Sequence, residues 1–439
     1  MSEVVVTGIG PMLANCSDRH TLWTHLRDGP SQLAFEPAPG AEGERWPVGR
    51  IRGFEPGRWL GRFSRAFYDR YHREQLLYLS SLMIAIDDAG LDLPAIPRDR
   101  IGIFDGTSRG NFDYWYHKIR SERDAPASEL YTRHDLLTGP PGQAANLAAS
   151  LLGVRGPVYT FNITCCSGAV AIGQACRELA HGDIDLAFAS GHDSSLEAPI
   201  YRMYRDAGLL SQERDDARRA IRPYVEHSRN AFGEGAITLV LETRDHAARR
   251  GARPLATIDG WKLGNNGGHP LNVDAEGNRA TTLVSDVLAK AQVDRGDIGF
   301  VVGHGNGVEQ SDRSELLYMQ RVFAQRAAEV PLLSVKPVYG HLFGASSALN
   351  VAAAILMLHH GWLAPTLNVD PARAAGPAKS PAKSPAESPA ESPAESPAES
   401  PIDHLAGGGR PSNARNALAM SYGIGGHNSV TLVGRAEAA

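Results

Sequence analysis

Short apolar, β-branched runs alternate with segments of helical period along almost the whole chain, and this alternation limits the fold more than any other feature. Residues 4–7 are a valine-rich run stopped by Gly8, the pattern of a buried strand entering a turn. Residues 75–89 then place apolar side chains at helical spacing and stop at Gly90, as a helix does. Strands are predicted at 100–106, 157–163, 184–190 and 236–242, and helices over 142–152 and 166–181. The second half repeats the rhythm, with helices over 281–291, 313–323 and 345–359 and strands at 299–303, 331–335 and 416–421. Such alternation predicts an α/β protein with a largely parallel, helix-covered sheet, because parallel neighbours need crossover connections. The 439 residues, 42% of them apolar, suffice for two domains or one large body of two similar halves.

One segment breaks the rhythm: residues 377–400 are two PAKS tetrapeptides followed by four PAES. Proline at every fourth position denies both helix and central strand, so a disordered or polyproline-like surface loop is predicted, a tolerated insertion rather than a partner-recruiting linker. The 44 basic and 49 acidic residues leave a net charge of -5, which argues against nucleic acid as a partner. Cys16, Cys165, Cys166 and Cys176 form neither a disulfide framework nor a CxxC metal pair. The N-terminal run lacks a basic leader, and the most apolar later stretch, 351–358, is too short to span a bilayer. A cytoplasmic protein that binds neither nucleic acid nor membrane is the expectation.

Three glycine-rich motifs carry the chemistry: GPVYTFNITCCSGAVAIG at 156–173, GHGNGVEQSDRSE at 303–315 and SVKPVYGHLFGASSA at 334–348. Cys165 stands between a strand and a small-residue helix, where backbone N–H groups and the helix dipole would favour a thiolate. Alone it would read as an inert buried cysteine, and each glycine-flanked histidine as a turn residue. Together, one cysteine, His304, His341 and a lysine five residues before the second histidine make the set that carbon–carbon bond formation on thioesters requires.

On these motifs, and on VVVTGIG near the start, GHDSS at 191–195, RPYVEHSRNAFGEGA at 222–236 and SYGIGGHNS at 421–429, the chain resembles the β-ketoacyl-ACP synthase family of condensing enzymes over nearly its whole length. The resemblance implies a thiolase-like five-layer αβαβα fold of two similar halves, placed here at 1–245 with the nucleophilic cysteine and 246–439 with both histidines. The family's nucleophile lies nine residues after the glycine of its GP turn and seven before an apolar-Gly pair; counts from Gly156 and Ile172 both reach Cys165. Cys166 is then a small packing residue. The resemblance assigns His304 and His341 to hydrogen bonding of a malonyl thioester oxygen. It makes Lys336 the partner of Glu315, with Asp312 beside them, as organisers of the site. The oxyanion hole would be the backbone N–H groups of Cys165 and Ile424, with Gly425 next to the gate.

Three departures bear on substrate. The family's HGTxT becomes His304-Gly305-Asn306-Gly307-Val308, so Asn306 and Val308 replace two threonines that would contact phosphopantetheine. Ile424 stands where a gating phenylalanine is common, and the segment from Arg222 is two residues shorter than the family pattern. The expected function is decarboxylative Claisen condensation of an acyl chain on Cys165 with malonyl-ACP, in a dissociated, type II polyketide pathway. The alternatives are a type II fatty-acid elongation ketosynthase and a non-catalytic, chain-length-factor-like subunit. No bound cofactor or metal is expected, since the substrates ride on the phosphopantetheine of an acyl carrier protein. Expected partners are that carrier and, in a homodimer or heterodimer, a second ketosynthase-like chain. Arg62, Arg65, Arg70 and Arg73 are the carrier-docking candidates, with a solvated helix face as the competing reading.

Overall fold

The computed structural model describes residues 2–61, 63–123, 130–270, 273–371 and 402–437. Arg62 and the 377–400 repeat lie outside the described residues. Ten strands form the main sheet: β1 Val4–Met12, β2 Ile101–Thr107, β3 Val158–Phe161, β4 Leu186–Asp193, β5 Gly235–Thr243, β6 Ala256–Asn265, β7 Ile298–Val302, β8 Leu332–Leu333, β9 Asn416–Gly423 and β10 His427–Arg435. Their order is β8-β7-β9-β10-β6-β1-β5-β4-β2-β3. The same arrangement is written twice. Counted from one to five within each half, both run 3-2-4-5-1 from the outer edge inward, and the halves join where Val5 and Val6 of β1 lie opposite Thr257 and Ala256 of β6.

The expectation of a largely parallel sheet is corrected. Four neighbouring pairs are parallel (β2 with β3 and β4, β7 with β8 and β9) and five are antiparallel. The reason is local: the last two strands of each half follow one another without a packed crossover helix, as in the β9–β10 hairpin, which turns through Ile424, Gly425 and Gly426.

Six helices make the remaining layers: α1 Arg73–Asp88, α2 Gln143–Leu152, α3 Ser167–His181, α4 Asn278–Ala291, α5 Glu309–Phe323 and α6 Gly344–His360. Helices α1 and α2 bury Leu79, Leu82, Ala145 and Ala148 against Ile101, Ile103 and Val240 on the outer face of the first half. Helices α4 and α5 do the same for the second half, against Ile298, Val301 and Leu418. Between the halves lie α3 and α6, whose cores merge with Phe104, Leu239, Phe300 and Ala417. The layers are therefore α, β, α, β, α. Every residue of α6 from Gly344 to Leu358 is buried, which explains its predominantly apolar sequence. Gly168 allows the close crossing of the two central helices: a Cβ there would stand 2.9 Å from both the Gly344 carbonyl oxygen and the Ala348 Cβ. This contact brings the N-termini of α3 and α6 side by side, and with them the segments that carry Cys165 and His341.

Candidate active site

Cys165 sits in a single 3₁₀ turn, Thr164–Cys166, between β3 and α3. Thr164 has φ 47°, a left-handed conformation that costs a threonine energy and makes the corner sharp. Ser167 locks the corner, donating to the Thr164 carbonyl at 2.7 Å and accepting from the Ile163 N–H at 2.8 Å. Cys165 opens into a cavity of about 120 Å³ that is also lined by His304, His341, Asn306, Val308 and Ile424. Cys166 points elsewhere, towards the Ser421 carbonyl at 3.4 Å, and is fully buried. The structure thus separates the two cysteines as the spacing argument does.

Burial pushes the Cys165 thiol up to about 11, while the charges of Lys336 and Arg109 and a hydrogen bond from the Ile424 N–H pull it down. Burial thus works against the thiolate that a helix N-terminus would favour, and the Lys336 and Arg109 charges work for it. Ile424 is held over it because Thr164 Oγ1 donates to the Ile424 carbonyl at 3.1 Å. Gly425, at φ 97°, donates to the Pro270 carbonyl at 2.7 Å and sets the next turn of the loop.

His304 follows β7 and His341 follows the short helix Lys336–Tyr339. Their ring centroids are 5.6 Å apart and the planes cross at 77°. Burial, and after it the Lys336 charge, hold both imidazoles well below their usual range, so both are neutral. Nδ1 of His341 accepts from the Phe343 N–H at 2.9 Å, so its proton lies on Nε2. Nδ1 of His304 faces the Tyr422 N–H at 3.3 Å and the Lys336 ammonium at 3.4 Å, and its Nε2 faces the Asn306 amide nitrogen at 3.1 Å. Two neutral imidazoles lining one cavity can hydrogen-bond a single oxygen that gains negative charge.

The supporting residues are arranged differently from expectation. Lys336 makes no direct ion pair with Glu315. Its ammonium donates to the His304 carbonyl, because Glu315 is already occupied by the N–H groups of His304 and Gly305 at 2.6 and 3.2 Å and by Tyr224 OH at 2.8 Å. Asp312 accepts from the Tyr224 N–H at 2.7 Å. Burial raises Glu315 to about 7 and Asp312 to about 8, so these acids brace the backbone around His304. Asn306 Nδ2 stands 3.1 Å from His304 Nε2, and its Oδ1 accepts from the Val308 N–H and Ser311 Oγ. The amide expected to meet pantetheine therefore also touches the catalytic ring. Tyr224, Arg109 and Tyr204 went unnoticed in the sequence; only Tyr224 lies in a motif, and nothing in the pattern marks the other two.

Of the carrier-docking candidates, Arg65 and Arg70 are exposed. Arg73 is corrected: its guanidinium grips fully buried Glu234 through two bonds of 2.9 and 2.7 Å and donates to the Ile51 carbonyl. It anchors α1 and is not a free surface cation. Among the described residues no cluster of three His, Cys, Asp or Glu side chains is placed to hold a metal ion, and no helix is long and apolar enough to cross a membrane.

Comparison with known proteins agrees with this geometry. The chain is 28% identical over 387 residues to the tetracenomycin polyketide synthase ketoacyl synthase alpha subunit of Streptomyces glaucescens, covering 84% of this chain and 88% of that protein. It is 28% identical over 446 residues to 3-oxoacyl-(acyl-carrier-protein) synthase 2 of Mycobacterium bovis, covering 98% and 97%. The solved ishigamide ketosynthase/chain length factor superposes with a TM-score of 0.84 at 23% identity, over 99% of this chain and 100% of that one, and shows the same fold. The family model "Beta-ketoacyl synthase, C-terminal domain" matches residues 255–370. The model "Beta-ketoacyl synthase, N-terminal domain" matches residues 1–247, more than half of the chain by itself, and with that the chain belongs to the β-ketoacyl synthase family.

Proposed function

We propose that this chain is the condensing ketosynthase of a type II polyketide pathway. The observation that carries the reading is the shared cavity: one buried thiol facing two neutral imidazoles. In the first half-reaction Cys165 Sγ attacks the acyl thioester of a carrier protein. The acyl carbon–sulfur bond to pantetheine breaks, and the thiol proton leaves with the released pantetheine sulfur. The backbone N–H of Ile424, with that of Cys165, stabilises the tetrahedral oxygen. In the second, malonyl-ACP loses carbon dioxide while His304 and His341 donate to its thioester oxygen. The resulting carbanion attacks the acyl-enzyme, and Cys165 departs and is reprotonated. Loss of one such donor typically costs about 10²–10³ in rate.

The polyketide assignment rests on the tetracenomycin relative and on the Asn306, Val308 and Ile424 departures. The long match to 3-oxoacyl-(acyl-carrier-protein) synthase 2 favours fatty-acid elongation as the second reading. Both readings take an acyl carrier protein as donor. A subunit interface is supported at the outer edge of the first half. There β3 is an edge strand bearing half-exposed Tyr159, and Trp115, Leu136 and Leu137, on segments between β2 and β3, are also exposed. A second copy or a ketosynthase-like sister chain would cover it. Intact-protein mass spectrometry after incubation with a panel of acyl-ACPs tests the function. Polyketide chemistry predicts acyl adducts on Cys165 and malonyl-dependent extension; long saturated chains as the sole adducts would select the fatty-acid reading, and no adduct with any donor would overturn both.

A further inference from the structure

Arg109 follows the end of β2, and its half-buried guanidinium is close enough to Cys165 that its charge favours the thiolate. One Nη donates to Tyr204 OH at 2.8 Å. The guanidinium carbon stands 5.8 Å from the centre of the Tyr204 ring and 5.9 Å from that of Phe343. Nε is buried without a partner. Among the described residues no carboxylate lies within ion-pair distance. Asp193, which accepts from the Arg109 N–H, has its oxygens on the backbone N–H groups of Ser108, Arg109 and Gly344 at 2.9, 3.0 and 2.6 Å. A half-buried cation with no acid opposite it is unusual, because burying charge is costly unless it is paired. Here the charge is received by two aromatic faces and one phenol.

Tyr204 passes the effect into the cavity. Its side chain is 8% exposed and lines the cavity into which Cys165 opens. Burial pushes the phenol up to about 12, so it keeps its proton. Its oxygen already accepts from Arg109, which leaves the O–H free to donate, and a donor polarised by a neighbouring cation is strengthened. The adjoining wall is apolar at Leu209 and Phe232 and also carries Asn230, whose Oδ1 is buried without a partner. A saturated acyl chain laid against this wall would leave the O–H unsatisfied, whereas a chain with an oxygen close to the thioester would pair with it.

We infer that Tyr204, oriented and polarised by Arg109, selects β-oxoacyl groups over saturated acyl groups of the same length for residence on Cys165. The inference rests on the reading of Cys165 as the acyl-accepting residue. Tyr204 is the contact and Arg109 the positioning residue.

The test uses acetoacetyl and butyryl pantetheine thioesters, four-carbon donors that differ in the β-carbon, with Cys165 occupancy followed by mass spectrometry of the intact chain. Wild type is expected to load acetoacetyl faster by about tenfold, the order of discrimination a lost hydrogen bond supplies. In Tyr204→Phe the ratio should fall to within about twofold of unity through loss on the acetoacetyl side. Arg109→Met should lower the ratio likewise, and Arg109→Lys should restore part of it, which a merely structural role would not do. Equal loading by wild type, or an unchanged ratio in Tyr204→Phe, overturns the inference alone. Loading of neither thioester by wild type overturns the acyl-accepting reading and this inference with it.

Discussion

The Lys336 ammonium donates to the carbonyl oxygen of His304 and at the same time stands 3.4 Å from Nδ1 of the His304 ring. One buried cation thereby acts on Cys165, His304 and His341 together. Its charge helps to keep His304 and His341 neutral and pulls the Cys165 thiol towards ionisation. Burial lowers Lys336 itself to about 8, so it remains mostly charged at neutral pH. The lysine neither attacks nor binds substrate in this arrangement; it sets protonation states.

Replacing that charge should therefore show first in thiol reactivity. In Lys336→Met, iodoacetamide labelling of Cys165 at pH 7.5 is expected to slow by about tenfold, the effect of one pKa unit. The labelling profile should move to higher pH. An unshifted profile, read by peptide mass spectrometry, would remove Lys336 from this role.

The two adjacent cysteines give a sharper contrast. Cys165→Ala should abolish acyl loading and Cys166→Ala should keep most of it, because only Cys165 reaches the cavity while Cys166 faces the Ser421 carbonyl. An acyl adduct mapped to Cys166 would reverse the assignment.

His304→Ala and His341→Ala are expected to lose malonyl-ACP decarboxylation by about 10²–10³ each while acyl transfer to Cys165 falls less. Carbon dioxide release and acyl occupancy, measured side by side, separate the two half-reactions. Unchanged release in both variants would contradict the proposed donors.

The candidate set of Cys165, His304 and His341 was legible because each member sits in a short segment between regular elements, where spacing along the chain survives folding. What surrounds it was not. Glu315 meets Tyr224, 91 residues away, and that contact diverts the carboxylate from the lysine the motif suggested. Strand β6 escaped notice because Gly260, Trp261, Lys262 and Gly264 interrupt its apolar pattern, and much of it is only partly buried. Strand β10 was hidden because the glycine turn before it read as a site motif rather than as a hairpin. Arg73 looked like one of a cluster of surface arginines, yet its partner Glu234 is 161 residues distant. Sequence offsets record which residues share a turn; they do not record which buried acid a given cation will find.

Acid sensitivity follows from the neutral histidines. His341, 3% exposed, has its folded-state pKa lowered by burial and then by Lys336. Below about pH 6.5 the unfolded chain binds a proton that the folded chain does not. Its contribution to stability is therefore complete above that pH and lost as pH falls, by up to about 1.4 kcal/mol per pH unit. Glu315 and Asp312, raised by burial, contribute in the opposite sense, so wild type alone does not isolate the histidine. The melting temperature of His341→Gln relative to wild type should rise as pH falls from 7.5 to 5.5; a constant difference would mean that His341 titrates in the folded chain as it does in the unfolded one.

Carrier docking and helix anchoring should separate within one run of arginines. Arg65 and Arg70 are exposed, and acidic carrier surfaces would meet them through long-range attraction that salt screens within about 10 Å at 0.1 M. Reversing both to glutamate should weaken turnover with acyl-ACP, most at low salt, and spare loading from a small acyl pantetheine thioester. Arg73→Ala should behave differently, because it strands Glu234, which is fully buried, without its bidentate partner. Breaking such a pair costs about 3 kcal/mol, so a clear fall in melting temperature is expected, with carrier-borne and small donors affected alike. Equal losses with both donors in the Arg65/Arg70 variant, at an unchanged melting temperature, would move the carrier surface elsewhere. Selective loss of acyl-ACP turnover in Arg73→Ala, with no change in stability, would return that residue to the docking face.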